Sequence, residues 1–385
     1  MGLSQYGARG RAIAGQTADQ ILAAYYKGST RSAVDPARNV RVLVLAGFAA
    51  PSSSPLTIVG RSGGWKLDGV GATFPADAKL TVWRTTSTAD GVTKVTWRYR
   101  VTSASGTSLA SGTAGASLML RPASSATRLQ LVSKKSTYDT YRGNLKVFLA
   151  PSTASVVNHV GLDLYLRGVV PIEMPSSWPA QALQAQTIAA RSYAVRRLHP
   201  SSGSYDVFDD TRSQVYRGLE GERSTTNSLI AARPGVVLMS GGSVVNAFFH
   251  STGGAATENN EYAFVSSSGA VTAGPVSYLR GIADRAANGT PYDAAAPYYA
   301  WTTTLLHRTT LSAMLRTDAR TNVGDLVRLD LTRRGVSGRL YRVTIYGTAG
   351  SKTVSADVFR AVYNTARPSG TTPLRSDLFN LSPLP

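Results

Sequence analysis

The pattern of apolar residues changes along this chain, and this change constrains the fold more than any other feature of the sequence. Over residues 39–150, apolar residues alternate with polar ones or form short runs between Ser, Thr and Gly clusters, which is typical of β-strands. The dipeptide Asp90-Gly91 separates two such runs, as in a β-hairpin. Residues 161–198 carry apolar side chains at helical spacing instead, with a second helix beginning near Pro179. The sequence therefore predicts an α+β protein, in which a helical segment packs with β-rich layers that together form a cleft.

The length of 385 residues is enough for two or three domains, since a domain commonly has about 100–200 residues. We predict a helical segment over residues 1–32, a β-rich domain over 33–150 and a mixed α/β domain over 151–385. In the first segment, Thr17 followed by Gln20 matches a capping box, the reciprocal side-chain pairing that starts many helices.

The charge of the chain indicates what kind of partner it attracts. It has 41 Lys and Arg against 22 Asp and Glu, which gives a net charge of +19. Such a surface attracts polyanions, whether nucleic acid, an anionic membrane or an acidic cell-wall polymer. The sequence has no Cys, which excludes disulfides, thiolate catalysis and thiolate metal sites. It also has no run of about 18 apolar residues, so we predict no membrane-spanning helix.

Glu173 is the strongest candidate for a catalytic group. We expect it in an irregular link between two helices, because Pro171 and Pro175 disfavour continuous helix there. Its neighbours Ile172 and Met174 are apolar, and an apolar setting raises the pKa of a carboxyl group toward the value that a general acid needs. The alternative is an ordinary solvated glutamate at a helix end.

Two further patterns allow both a functional and a structural interpretation. Gln184, Thr187 and Arg191 have helical spacing and form either a polar stripe that faces a cleft or the solvated side of an amphipathic helix. His250 ends an apolar strand and precedes a Gly-Gly loop, which is typical of a close backbone approach to a ligand. It is a proton carrier, a ligand contact, a lone metal ligand or a structural histidine, and four His without any Cys argue against the metal.

Several strings of the sequence occur in an order that resembles the SpoIID/LytB family, the group of stage II sporulation protein D and the amidase enhancer. The strings are LYLRGVVPIEMP at 164–175, ALQAQTIAARSYA at 182–194, SQVYRG at 213–218 and HSTGG at 250–254. Residues 4–8, SQYGA, resemble an element that commonly lies near the C-terminal end of family members. The resemblance covers about residues 38–381.

The resemblance implies a peptidoglycan lytic transglycosylase, which cleaves the bond between N-acetylmuramic acid (MurNAc) and N-acetylglucosamine (GlcNAc) and leaves a 1,6-anhydroMurNAc end. The family's catalytic Glu corresponds to Glu173, and its Arg on the following helix corresponds to Arg191, which would orient Glu173 or bind the sugar. One carboxylate suffices as acid and then base because the sugar's own 6-hydroxyl attacks, whereas most glycosidases use two carboxylates. The residues that we expect to bind the substrate are Ser213, Gln214, Tyr216, His250, Ser251, Thr252, Gln5 and Tyr6.

The resemblance also implies a place at the cell wall, outside the cytoplasmic membrane. We expect a signal peptide upstream of residue 1, glycan strands stripped of stem peptides as substrate, and an N-acetylmuramoyl-L-alanine amidase as partner. Some family members bind zinc through Cys near the histidine motif, but residues 251–260 contain none, so we predict no metal and no other cofactor. Nucleic-acid binding is suggested by the charge alone, and we expect none. The main alternative is a non-catalytic wall-binding protein that enhances an amidase.

Overall fold

The computed structural model describes residues 1–90, 92–199 and 201–381. Gly91 of the predicted hairpin and residues 382–385 of the predicted third domain lie outside the described residues. The helices are α1 (Gln5–Ile13), α2 (Ala18–Tyr25), α3 (Leu162–Arg167), α4 (Val170–Glu173), α5 (Ala180–Arg197), α6 (Ser224–Ala232), α7 (Asn260–Ala263), α8 (Arg308–Leu315) and α9 (Ala356–Ala366), with a 3-10 turn at Val132–Lys134. The strands are β1 (Leu3–Ser4), β2 (Thr30–Ala33), β3 (Asn39–Phe48), β4 (Leu56–Arg61), β5 (Trp65–Leu67), β6 (Thr73–Phe74), β7 (Lys79–Ala89), β8 (Val92–Thr102), β9 (Ser108–Ala114), β10 (Ser117–Pro122), β11 (Arg128–Gln130), β12 (Thr140–Tyr141), β13 (Asn144–Leu149), β14 (Ala154–Gly161), β15 (Val207–Phe208), β16 (Val236–Ser240), β17 (Ser243–Val244), β18 (Phe249–His250), β19 (Leu326–Asp330), β20 (Arg342–Gly347) and β21 (Gly350–Ser355).

Helices and several β-sheets are both present, which confirms the predicted α+β class. The chain divides into two compact units that are assembled from separate segments. Unit 1 consists of Met1–Thr30, Pro179–Ala185 and Ala247–Pro385, and unit 2 consists of Arg31–Trp178 and Gln186–Asn246. The three sequence domains proposed above remain a prediction about the chain, since these units are not contiguous stretches.

Two antiparallel sheets make up most of unit 2. One has the strand order β15-β3-β14-β13-β10-β5-β6, in which β15 alone pairs in parallel, and the other has the order β12-β11-β4-β7-β8-β9. Val40, Val42 and Val44 alternate along β3 and are buried, because one face of the strand points into the core. Strand β14 follows residue 150 and pairs with β13 and β3, so strand pairing continues past that predicted boundary.

The predicted hairpin is confirmed by the register of β7 and β8. These strands pair along their full length, from Lys79 opposite Thr102 to Ala89 opposite Val92. Strand β8 continues the antiparallel pairing on its other side with β9.

The predicted irregular link between the helices is partly wrong. Val170–Glu173 forms the short helix α4, with Pro171 in its first turn. A proline is tolerated there because the first N–H groups of a helix have no carbonyl partner within the helix. The chain leaves the helical conformation at Met174, and α5 begins at Ala180, directly after Pro179 as predicted.

Helix α5 is buried on all sides over residues 182–195. Its many alanines allow close packing from every direction, which is the environment of a central rather than a surface helix. Gln184, Thr187 and Arg191 are therefore all buried. The interpretation of this stripe as the solvated side of an amphipathic helix is wrong.

Unit 1 combines a helical N-terminal segment with a small sheet. Strand β1 pairs in parallel with β18, which places Ser4 opposite His250. The predicted capping box is confirmed, since Thr17 and Gln20 make both of its hydrogen bonds at the start of α2. Strands β19, β20 and β21 form an antiparallel sheet, and apolar residues from this sheet and from α8 and α9 share one core.

Candidate active site

Glu173 lies at the end of α4 in unit 2, where its side chain is half-buried. The backbone N–H of Val215 donates a hydrogen bond of 2.9 Å to its Oε1 atom. A main-chain donor is fixed in place, so this charge-assisted bond orients the carboxylate. Burial is the main reason that the pKa of Tyr165 is raised well above 10, and the charge of Glu173 adds to this effect. Tyr165 therefore keeps its hydroxyl proton near the carboxylate.

Residues 213–216, which contain the amide that bonds to Glu173, are themselves anchored by buried side chains. The hydroxyl of Tyr165 donates to Gln214 Oε1 over 3.3 Å, and the hydroxyl of Tyr216 donates to Asn158 Oδ1 over 2.9 Å. Ser213 Oγ accepts a hydrogen bond of 3.1 Å from a backbone N–H of the preceding strand. Gln214 and Tyr216 are almost fully buried, so in this structure they position the Val215 amide and present no surface to a ligand.

Arg191 is completely buried on α5, where it ties three elements of unit 2 together. Its Nε atom pairs with Asp163 Oδ1 on α3 over 2.7 Å, and its Nη1 atom donates to the carbonyl oxygen of Val236 on β16 over 2.9 Å. Burial lowers the pKa of the guanidinium, and Asp163 opposes that shift. The guanidinium has no exposed surface, and its described bonds run to Asp163 and Val236, so its expected role toward Glu173 or the sugar stays a prediction.

The sequence did not single out Tyr193, whose pKa responds to the charge of Glu173, or Arg197, which stacks on the Tyr193 ring. The Arg197 Cζ atom lies 3.2 Å from the centroid of the Tyr193 ring, and Arg197 Nη1 donates to Asn246 Oδ1 over 2.9 Å. Burial raises the pKa of Tyr193, the charge of Arg197 lowers it, and the charge of Glu173 raises it. Their spacing of four residues, which places them on one face of α5, was the signal in the sequence.

The histidine motif of unit 1 is built around a buried carboxylate. Asp293 is fully buried and accepts hydrogen bonds of 2.7–3.0 Å from the Thr252 hydroxyl and from the backbone N–H groups of residues 253–255. Within this loop Ala255 has a positive φ of 70°, a conformation that costs energy for a residue other than glycine. Asp293 thus holds the 252–255 loop in a strained shape. The sequence gives no local signal for this contact, because Asp293 lies about 40 residues downstream.

The SQYGA helix, α1, is held in unit 1 by a buried ion pair. Arg11 Nε pairs with Asp284 Oδ1 over 2.9 Å, and the hydroxyl of Tyr25 donates to Asp284 Oδ2 over 2.6 Å. Gly7 lies against this pair, and a Cβ atom there would come within 2.1 Å of both Asp284 Oδ2 and the Tyr25 hydroxyl. The backbone N–H of Tyr6 donates to the Ser251 carbonyl oxygen over 3.0 Å.

His250 keeps part of its surface exposed, yet its ring is strongly desolvated. Burial is the main cause that lowers its pKa well below 6.5, and the positive charge of Arg339 acts in the same direction. Its Nδ1 atom lies 3.1 Å from the carbonyl oxygen of Met1. The imidazole is therefore neutral at neutral pH and offers one donor and one acceptor nitrogen.

The structure brings the expected site residues together in two groups. Unit 2 contains Glu173, Arg191, Ser213, Gln214 and Tyr216, and unit 1 contains Gln5, Tyr6, His250, Ser251 and Thr252. Gln5 is buried, whereas His250, Ser251 and Thr252 line an open groove. Across the described ranges, no cluster of three or more His, Asp or Glu side chains is arranged to hold a metal ion. None of the described helices has the length and apolar character needed to cross a membrane.

Comparison with known families places the Glu173 group in a recognised domain. Residues 151–239 match the family model described as Stage II sporulation protein, SpoIID. This match confirms the predicted resemblance over residues 151–239, a segment that includes Glu173, Arg191 and residues 213–216. The assignment of the SQYGA element stays a prediction.

Curated relatives agree with this family. The chain is 28% identical over 164 residues to stage II sporulation protein D of Bacillus subtilis, which covers 38% of this chain and 44% of that protein. It is 39% identical over 102 residues to the amidase enhancer of Bacillus subtilis, covering 26% of this chain and 14% of that protein. An uncharacterized protein of Brachyspira hyodysenteriae is 31% identical over 126 residues, which are 32% of this chain and 34% of that protein.

The matched regions thus span less than half of the length of these relatives. No solved structure matches the chain significantly. The names of these relatives refer to sporulation and to the enhancement of an amidase.

Proposed function

We propose that this protein is a peptidoglycan lytic transglycosylase that cleaves the MurNAc–GlcNAc bond and forms 1,6-anhydroMurNAc. The observation that carries the proposal is the Glu173 carboxylate, held at 2.9 Å by the Val215 amide within the segment that matches the SpoIID family. A single carboxylate that is oriented by the main chain is the one protein group that this reaction needs.

The proposed reaction moves one proton in and one proton out. Glu173, as the acid, protonates the glycosidic oxygen while the bond from that oxygen to C1 of MurNAc breaks. The 6-hydroxyl oxygen of the same MurNAc forms a new bond to C1, and the Glu173 carboxylate takes the hydroxyl proton. Glu173 is protonated again at the end, and no water is consumed. The positive charge that develops at C1 lies near the carboxylate, which stabilises it.

The surrounding residues of unit 2 receive supporting roles in this proposal. Arg191 is a positioning residue that fixes α5 against α3 and β16, and Gln214 and Tyr216 are positioning residues for the Val215 amide. Tyr193 and Tyr165 keep their protons because burial raises their pKa values, so their hydroxyls remain donors. In unit 1, His250, Ser251 and Thr252 are the proposed substrate contacts, with Gln5 and Tyr6 beside their strand.

The proposal is tested by digesting purified glycan strands that have been stripped of stem peptides. The wild type should release fragments with 1,6-anhydroMurNAc ends, detected by mass spectrometry, and Glu173→Gln should release none. Glu261→Gln is the matched control, since Glu261 pairs with Arg280 in unit 1 and is not part of the Glu173 group. Absence of anhydro ends from a folded wild-type protein would overturn the proposal.

The second candidate is a non-catalytic wall-binding protein that enhances an amidase, which is favoured by the similarity to the amidase enhancer. Under this alternative, the wild type and Glu173→Gln sediment equally with cell walls, neither one cuts the strands, and both stimulate an N-acetylmuramoyl-L-alanine amidase to the same extent. An amidase is also the proposed partner of the enzyme, because it would supply the stripped strands.

A further inference from the structure

Unit 1 contains an open groove of about 650 Å³ that is separate from the buried contacts around the SQYGA helix. We call it the basic groove and define it by His250, Thr252, Tyr298, Trp301, Arg339 and Arg375, which are among the residues that line it. A concave site with aromatic walls and a few charged groups is the usual form of a small-ligand pocket.

Two guanidinium groups in the basic groove have no acidic partner in the described part of the chain. Within residues 1–90, 92–199 and 201–381, neither Arg339 nor Arg375 forms an ion pair with a carboxylate. Their neighbour Arg360, by contrast, pairs with Asp357 and Asp377. The one hydrogen bond of the Arg339 guanidinium to a described residue is a long bond of 3.4 Å to the Ala256 carbonyl oxygen. Arg339 and Arg375 are therefore available to bind an anion in this groove.

The cost of placing Arg339 here supports the same conclusion. Burial lowers the pKa of Arg339, while the charges of Glu258, Asp377 and Asp293 oppose that shift from a distance. A partly desolvated cation without a direct partner is unfavourable, and a bound anion would offset that cost. Arginine matches a carboxylate with two parallel hydrogen bonds, which makes such an anion a specific ligand.

Tyr298 gives the groove a surface for a sugar ring. The residue is 61% exposed, although the Arg375 guanidinium stacks on one face of its ring, with the Cζ atom 3.5 Å from the ring centroid. Its backbone has a φ of 61°, a left-handed conformation that is rare for a bulky residue and typical of functional sites. Tyr299 and Trp301 line the same groove. Aromatic rings with an apolar face and a polar edge suit a ligand that has both kinds of surface.

We propose that the basic groove binds a saccharide unit with a free carboxylate, and that Arg339 and Arg375 bind the carboxylate while Tyr298 packs against the sugar ring. This inference rests on the proposed function, because it assigns the groove to the same glycan. A MurNAc unit has a lactyl carboxyl group, which is an anion in a stripped strand and a neutral amide where a stem peptide is attached. The groove thereby distinguishes stripped from peptide-bearing strands by charge.

The test is a titration of the full chain with free MurNAc and with its methyl ester, in which binding is monitored by NMR. The two ligands have the same ring and differ in charge, so the ester should bind at least about tenfold more weakly. Arg339→Gln and Arg375→Gln should each weaken MurNAc binding about tenfold and leave ester binding unchanged. Arg328→Gln is the matched control, because the Arg328 Cζ atom lies 3.5 Å from the Tyr346 ring centroid outside the groove.

The outcomes separate this inference from the proposed function. Equal binding of acid and ester, or equal effects of Arg375→Gln and Arg328→Gln, would overturn the inference even if the strands are cleaved. Inorganic phosphate that competes with MurNAc at equal concentration would show a general anion site and would also overturn it. Carboxylate-dependent binding that persists in Glu173→Gln supports the groove, whether or not the wild type cleaves glycan.

Discussion

The two units of this protein use charge in opposite ways. In unit 2, the Glu173 carboxylate is held by a backbone amide, and the residues around it are mostly buried and bonded to one another. In unit 1, an open groove is bordered by a strained loop and by two arginines that have no acidic partner among the residues that the structure describes. The difference agrees with the two proposals, because fixed, local contacts suit a group that transfers protons and accessible, unneutralised charge suits a group that recognises an anion.

The strongest effect should come from removing the Glu173 acid, which separates chemistry in unit 2 from recognition in unit 1. Glu173→Gln should lower the rate of strand cleavage by roughly 10²–10⁴-fold, because an amide cannot supply the proton of a general acid. The initial rate of release of anhydro ends measures this effect, with Glu261→Gln as the reference. A reduction of less than tenfold would contradict the role given to Glu173.

The next strongest effect, a loss of stability, tests whether Arg191 fixes α5 against α3 and β16. Arg191→Ala should destabilise the protein by about 3 kcal/mol, because it leaves the half-buried Asp163 carboxylate without its partner. Urea denaturation measures this change in the free energy of unfolding. Arg196→Ala is the control, since Arg196 is exposed on the same helix and should cost less than about 0.5 kcal/mol. An Arg191→Ala variant of full stability that has lost cleavage would show instead that Arg191 acts on the substrate.

A smaller loss of stability should follow when the packing of the SQYGA helix in unit 1 is disturbed at Gly7. Gly7→Ala should cost about 1–3 kcal/mol, because the new methyl group would overlap Asp284 and the Tyr25 hydroxyl. Thermal denaturation checks this against Gly274→Ala, since a Cβ atom at Gly274 would meet no atom within 4 Å. If both substitutions had the same melting temperature, the close approach at Gly7 would carry no energetic weight.

The smallest effect concerns the pH response of unit 1. Desolvation keeps His250 neutral below its ordinary pKa of 6.5. The unfolded chain takes up this proton near pH 6.5 while the folded chain does not, so this residue lowers stability as the pH falls below that value. NMR of the imidazole nitrogens should show the neutral form at pH 5.5. A ring that is half protonated near pH 6.5 would contradict the desolvated environment.

The sequence predicted features that depend on local physics, and it failed where distant segments meet. The hairpin of β7 and β8 and the capping box at Thr17 follow from neighbouring residues, and both are confirmed. The burial of the Gln184 stripe was missed because it depends on what packs around α5. Asp293 was missed because its role depends on a loop about 40 residues away. Tyr193 and Arg197 were within reach of the sequence, since a spacing of four residues places them on one face of a helix.

In the proposed reaction, Glu173 is the one acid and base, and the sugar's own 6-hydroxyl attacks C1. Digestion in labelled water distinguishes this reaction from hydrolysis. Stripped glycan strands are digested in ¹⁸O-labelled water, and the new chain ends are analysed by mass spectrometry. Intramolecular attack by the 6-hydroxyl predicts anhydro ends that contain no ¹⁸O. Ends that have gained labelled water would show hydrolysis, which requires a second catalytic group, and would contradict the proposed role of Glu173.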